Sequence, residues 1–309
     1  MNTKLFSIIL LITLLVGCAA PAAETEPVTT FSFTDDLDRT VMVNQPQRVA
    51  CLLGSFAQIW QLAGGEVAAT ADDAWDDLAL ELSEDCVNLG NTKELSLELL
   101  LSAQPDFILA SANTRQNLEW METLESAKIP TAYFDVADFD DYLRLLKLCT
   151  DITGRADLYE THGTAVQSQI DAVLKKAADR GTTPTVLSMR ASASMVTVKN
   201  SEDNVLGEML RSLGCRNIAD SEASLLENLS LEKILEADPD FIFFVQRGDD
   251  TEGMRAYVDN MMAENPAWQQ LTAVKEGRLY FMDKNLYNLK PNHRWGEAYE
   301  QLEAILENG

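Results

Sequence analysis

Three arginines stand where an apolar, strand-like run gives way to a loop. TVLSM closes on Arg190, DFIFFVQ closes on Arg247, and DFILASA runs into Asn113, Thr114 and Arg115. A guanidinium offers a planar fork of N–H donors that matches carboxylate and catecholate oxygens. The chain holds 49 acidic and 24 basic residues, a formal charge of −25. Cations gathered at strand ends in so acidic a chain point to a selected anionic ligand, with pairing to nearby acids as the plainer alternative. A further strand end, Gly54-Ser55-Phe56, opens a helix whose N-terminus favours anionic groups. Trp75 in ADDAWDD, Phe139, and Tyr287 in NLYNLKPN fall in neighbouring loops. Their aromatic faces suit a bulky, partly apolar ligand; packing in a lobe core is the other use each would have.

Other chemistry is thinly represented. The only histidines are His162 and His293, too few for a bare zinc or manganese ion, so no resident metal or cofactor is expected. His162 falls in a long helix and reads as solvated. His293, beside Arg294 and Trp295, would be the axial ligand if a haem-like molecule bound. Cys51, Cys86, Cys149 and Cys215 show no short paired spacing, and Cys51 reads as a buried thiol in an apolar strand. No nucleophile elbow, P-loop, dinucleotide glycine pattern or histidine cluster is present. The negative charge argues against nucleic acid and against adhesion to anionic lipid headgroups.

The elements that would position these residues alternate. After a hairpin over FSFTDDLDRTVMV (31–43), the pattern predicts strands at 47–53, 66–70, 106–110 and 131–135 and helices at 55–63, 96–102 and 115–127. Such alternation means a mostly parallel sheet covered on both faces. Residues 155–180 contain no proline and read as one long helix, which Gly181 ends. Alternation resumes with strands at 185–189, 195–199, 240–245 and 279–282 and helices at 205–213, 231–237, 252–264 and 294–308. LSLELLLSAQPDFI (95–108) and LSLEKILEADPDFI (229–242) agree at ten of fourteen positions. Their offset of 134 residues is the size of a whole lobe, far above a solenoid period. The expected fold is therefore α/β: two similar lobes, 28–153 and 182–309, joined by a helix over 154–181. A chain of 309 residues supports two modest cores.

The N-terminus adds a location. Lys4 precedes an apolar run from Leu5 to Val16, too short to span a bilayer and suited to a signal peptide over 1–17. Leu15-Val16-Gly17-Cys18 resembles a bacterial lipobox, which implies a lipid on Cys18 and cleavage before it. Removal of residues 1–17 takes away Lys4 and leaves a charge of −26. Residues 18–27, rich in Ala, Pro and Glu, read as a flexible tether.

Several segments together resemble the iron-complex and cobalamin class of ABC-importer binding proteins over about residues 30–305. TDDLDRTVMVNQPQRV matches that class's entry hairpin, D-x-x-G-R-x-V before P-x-R-V, with Asp38 where glycine is usual. The doubled S-L-E … P-D-F-I matches the strand entry of each lobe. Asn265-Pro266-Ala267-Trp268, then Leu271, Ala273-Val274-Lys275 and Gly277-Arg278-Leu279-Tyr280, match a third motif. The resemblance implies a ligand cleft between lobes that close only slightly about the linking helix. It implies a monomer held at the outer membrane face, Gram-positive or periplasmic, by its lipid, which delivers a metal chelate to a permease dimer with its ATPase. It also implies that Glu98 and Glu232, equivalent in the repeat, dock on the two permease subunits. A ferric siderophore is the first expectation for the ligand, haem the second and a corrinoid the third. A chelatase-like enzyme and a solute sensor on the same fold are the functional alternatives.

Overall fold

The computed structural model describes residues 30–202 and 204–309; the expected signal peptide, the tether and Cys18 lie outside the described residues. Strands β1 (Thr30–Thr34) and β2 (Thr40–Asn44) pair antiparallel, with Phe33 opposite Val41. Asp38 in their turn has φ +57°, the left-handed region where glycine is cheapest, which explains why glycine is usual there. Asp35 closes the turn by accepting from the backbone N–H groups of Leu37 and Arg39 at 3.1 and 3.0 Å.

The N-terminal lobe is a five-stranded parallel sheet. Its strands are β3 (Val49–Cys51), β4 (Val67–Thr70), β5 (Val87–Asn88), β6 (Phe107–Ser111) and β7 (Thr131–Phe134), in the order β5-β4-β3-β6-β7. The C-terminal lobe holds β8 (Thr185–Ala191), β9 (Val196–Lys199), β10 (Arg216–Asn217), β11 (Phe241–Gln246) and β12 (Leu279–Met282). They run in the parallel order β10-β8-β11-β12, and β9 folds back antiparallel on β8. The sequence repeat is structural: β6 lies between β3 and β7 as β11 lies between β8 and β12. Before each, Ser96 and Ser230 cap the helices Leu97–Ser102 and Leu231–Ala237, accepting from Leu99 and Lys233 N–H at 3.2 and 3.5 Å. Burial of Phe107–Ser111 and Phe241–Val245 on both faces fits parallel strands covered on each side.

The linking segment forms helix over Ala156–Tyr159, a π-turn over Glu160–Thr164 and helix again over Ala165–Asp179, about 36 Å in all. Gly181 follows with φ +70°. At the π-turn the His162 carbonyl accepts from Tyr142 Oη at 2.9 Å. Val166, Ile170 and Val173 of this helix share one apolar cluster with Trp60 and Phe107 of the first lobe and Phe243 and Trp295 of the second. That continuous core ties the lobes together. The sequence reading missed the fifteen-residue helix Phe139–Thr153, capped by Asp138 and ended by Gly154 at φ +73°. The helix expected over 115–127 is two, Arg115–Glu119 and Met121–Ser126, broken where Trp120 turns into the cluster with Leu52 and Leu124. No described helix is long and apolar enough to cross a membrane. Cys51, Cys149 and Cys215 are buried, Cys86 is half-buried, and all four are free thiols. Burial pushes the Cys51 thiol up and the Cys86 thiol to about 11, so neither is poised to react.

Candidate functional site

The carboxyl ends of the two sheets face each other across a cavity of about 560 Å³, where ligands of open α/β sheets bind. Asn113, Asp135 and Asp138 line it from the first lobe; Arg190, Asn204 and Lys290 line it from the second. Another cavity, of about 510 Å³, lies beside Gln47 and Glu66 at the amino ends of β3 and β4. It sits within one lobe, on the edge opposite the site.

Arg190 is fixed by β8, where it stands opposite Val245 of β11. Arg247 follows β11 directly, and its backbone N–H donates to Ala191 O at 2.7 Å. The Arg190 guanidinium has no ion pair among the described residues, and burial and the nearby Arg247 charge lower its pKa. Arg247 is exposed, and among the described residues its guanidinium reaches only Met195 Sδ, at 4.0 Å. These two arginines thus escape the local pairing that would have explained them. Arg115 does not: it pairs with Glu119 at 2.7 Å on the solvent face of its helix and does not line the cavity.

The helix start at Gly54-Ser55-Phe56 is already filled. Asp73 Oδ1 accepts from Gly54 N–H at 2.8 Å, and a Cβ on Gly54 would stand 2.5 Å from Ala74 N. The four-residue helix Asp73–Asp76 therefore presses on that terminus and supplies its anion. Phe56 is buried in the shared core. The Ser55 carbonyl accepts from Asn292 Nδ2 at 3.0 Å, a bond between the lobes. These contacts replace the ligand role expected of the segment.

The aromatics divide. Tyr287 is 2% exposed and its hydroxyl donates to Ala298 O at 3.0 Å, so it anchors the last helix and does not reach the ligand. Phe139 packs edge-on against Trp295, ring centroids 6.0 Å apart, also in the core. Trp75 is half-buried and belongs to none of the apolar clusters. Two residues on, Asp77 accepts from Lys284 Nζ at 2.6 Å, and the same ammonium contacts Asp249. Trp75 thus sits beside a tie to the second lobe and is not among the residues lining the cavity. His162 is half-buried rather than solvated, and its ring meets that of His293 with centroids 6.1 Å apart. His293 is thus turned to the linking helix and is not among the residues lining the cavity.

Sequence reasoning missed Lys290 and Asp135. Lys290 is half-buried and has no hydrogen bond or ion pair among the described residues; burial lowers its pKa, with Asp135 the leading opposing charge. In NLYNLKPN no periodicity separates a lysine that lines the cavity from a tyrosine that packs in the core.

Glu98 and Glu232 are exposed in the first turns of the two repeat helices, and neither carboxylate has a hydrogen bond or ion pair among the described residues.

Comparison with known proteins agrees with this architecture. Residues 49–286 match the family described as periplasmic binding protein. The Fe(3+)-citrate-binding protein YfmC of Bacillus subtilis is 27% identical over 298 residues, 92% of this chain and 90% of the relative. The ferric-anguibactin-binding protein FatB of Vibrio anguillarum is 22% identical over 289 residues, 88% of this chain and 87% of the relative. The structure of Staphylococcus aureus SirA complexed with staphyloferrin B superimposes with a TM-score of 0.68 at 19% identity, covering 90% of this chain and 99% of that one. With the family match running through both lobes and the linking helix, the chain belongs to the periplasmic binding protein family.

Proposed function

We propose that this protein is the extracytoplasmic substrate-binding component of an ABC importer and that its cargo is a negatively charged ferric chelate. The observation that carries the reading is the pair Arg190 and Arg247: two guanidinium groups without ion pairs among the described residues, at adjacent strand ends of one lobe, in a chain of charge −25. Arg190 is half-buried, and a cation withdrawn from water without a partner costs free energy, which an anionic ligand would recover through charge-assisted bonds. The names of the relatives, binders of ferric citrate and ferric anguibactin, support an iron complex as the class. Capture and release need no bond chemistry, and the cleft presents cationic and amide groups suited to holding an anion. The cargo is handed to a permease with its ATPase.

Wild-type protein should bind ferric citrate or a ferric carboxylate siderophore in calorimetry. Arg190→Ala and Arg247→Ala should each lose about 1.5–3 kcal/mol, tenfold to hundredfold in Kd. Unchanged affinity in both variants would reject the arginine assignment.

Cys18 is proposed as the lipid attachment point, on its Leu-Val-Gly-Cys context. Cys18→Ser should move the protein from the membrane to the soluble fraction, and a wild-type protein that is already soluble after signal cleavage would refute the anchor.

A further inference from the structure

The charges lining the cleft do not all remain available to a ligand. Glu208 and Glu202 are engaged by Arg211, at 2.5 and 3.7 Å. Asp138 caps the helix Phe139–Thr153 through Asp141 N–H at 3.0 Å. What is left is Arg190 and Lys290 against Asp135, none with a hydrogen bond or ion pair to its side chain among the described residues. Lys290 and Asp135 line the same cavity, yet they do not approach within ion-pair distance of each other.

Lys290 is also held in place. The strap that carries it is pinned at both ends. On one side Tyr287 is buried and bonded to Ala298 O at 3.0 Å. On the other, Asn292 is fully buried at φ +52°, and its Nδ2 donates to Ser55 O at 3.0 Å and Gln58 Oε1 at 2.7 Å in the opposite lobe. Pro291 stiffens the link between lysine and asparagine. The ammonium thus stands where the lobes meet, on backbone tied to both, while Arg190 projects from the second lobe's sheet. A surface lysine commonly finds an acid; this one is half-buried, carried on tied backbone and without an ion pair among the described residues. Groups held in such a costly state cluster where a ligand completes them.

We propose that Lys290 is a second anion-recognition point, so that the cleft selects a chelate carrying two separated anionic groups, one for Arg190 and one for Lys290. This rests on the ferric-chelate reading above and narrows it to polycarboxylate complexes over neutral ones. Asp135 sharpens the choice by repelling an anion that extends beyond the lysine toward the first lobe.

The test uses the processed wild-type protein with Lys290→Gln, Lys290→Arg and Arg190→Ala, titrated with ferric citrate and with a neutral ferric trihydroxamate. Wild type should prefer ferric citrate. Lys290→Gln should weaken it tenfold or more, leave the trihydroxamate within about threefold, and keep the wild-type melting temperature; Lys290→Arg should restore most of the loss. If Lys290→Gln binds ferric citrate like wild type while Arg190→Ala does not, the lysine assignment is overturned and the anionic-chelate reading stands. If both chelates weaken equally, Lys290 only supports the fold of the cleft and the selectivity is overturned. If wild type binds neither, both readings fall.

Discussion

Asp73 shows how one side chain can serve the architecture at a cost that pH reveals. Its carboxylate satisfies Gly54 N–H at the start of a helix, yet burial, followed by repulsion from Asp77 and Asp72, raises its pKa from 3.8 to about 6. The folded state therefore holds this proton more tightly than the unfolded chain. As pH rises through 4 to 6 the unfolded carboxyl ionises first, and stability falls by up to about 1–3 kcal/mol, given 1.36 kcal/mol per pKa unit. An asparagine keeps the acceptor oxygen and removes the charge. Asp73→Asn should accordingly be more stable than wild type by about 1–3 kcal/mol at pH 7.5, with the gain shrinking toward pH 4.5, as chemical denaturation at the two pH values would read. An equal effect at both would mean that shape, not ionisation, governs the site. The same residue explains why a sequence argument for an anion site at Gly54-Ser55-Phe56 fails. Asp73 lies nineteen positions away, and nothing in the chain announces that it fills the vacancy. The strand-end placement of Arg190 and Arg247 was legible because strand ends can be read from apolar runs. Tyr287, Phe139 and Lys290 were not, because which side of a loop residue faces inward is settled by tertiary contacts such as Tyr287 Oη to Ala298 O.

Elements were read more securely than side chains, for a physical reason. β12 and the helix Leu231–Ala237 fall within the expected bounds, since apolar runs between turn residues reflect burial on both faces. The doubled serine cap is local chemistry, with donor and acceptor three residues apart, and so it survives translation into structure at both sites. The helix Phe139–Thr153 carried its own signals, a capping Asp138, apolar residues at Tyr142, Leu145, Leu146 and Cys149, and a terminating Gly154. Its charged residues Asp140, Asp141, Arg144, Lys147 and Asp151 dilute the apolar stripe, which weakens the helical period as a signal. The π-turn at Glu160–Thr164 had no readable signal. Gly163 there is buried, and a Cβ would meet Tyr159 and Leu143 at 3.1 and 3.2 Å, so the crossing of two helices sets that geometry. π-turns mark places where tertiary contacts override the regular ladder. Lys284, at the first position of the helix Lys284–Tyr287, ties that helix to Asp77 and Asp249. It places a single ammonium between two elements that sequence separates by about two hundred residues, a relation that only the folded chain displays.

At the scale of the whole molecule, two features govern how the protein works with a partner. The apolar cluster passes from one lobe through the linking helix into the other, so rotation of the lobes would have to break close-packed contacts. Contacts of this kind oppose a large rotation of one lobe against the other. The second feature is the repeat, which sets Glu98 and Glu232 at equivalent turns of equivalent helices, both exposed and both without an internal partner. An acid in the first turn of a helix gains about 0.3–1 kcal/mol from the helix dipole, and that accounts for either glutamate alone. It does not account for their matched placement, since solvent-facing positions elsewhere in the two repeat segments differ, Leu99 against Lys233 and Ser102 against Glu236. A symmetric permease dimer would require two like contacts from one asymmetric chain, and a duplicated lobe provides them. Charge at an interface rim chiefly governs encounter and register, and neither glutamate is among the residues lining the cleft. Changing Glu98 and Glu232 together to alanine should therefore leave chelate affinity within about twofold and stability within about 1–2 kcal/mol, the two dipole terms. Uptake of iron-loaded chelate by cells should fall at least tenfold, with the deficit shrinking at high salt, which screens the same charge contacts in the wild type. Uptake at the wild-type rate, with normal expression of the double variant, would return both glutamates to the helix dipole and remove the docking role.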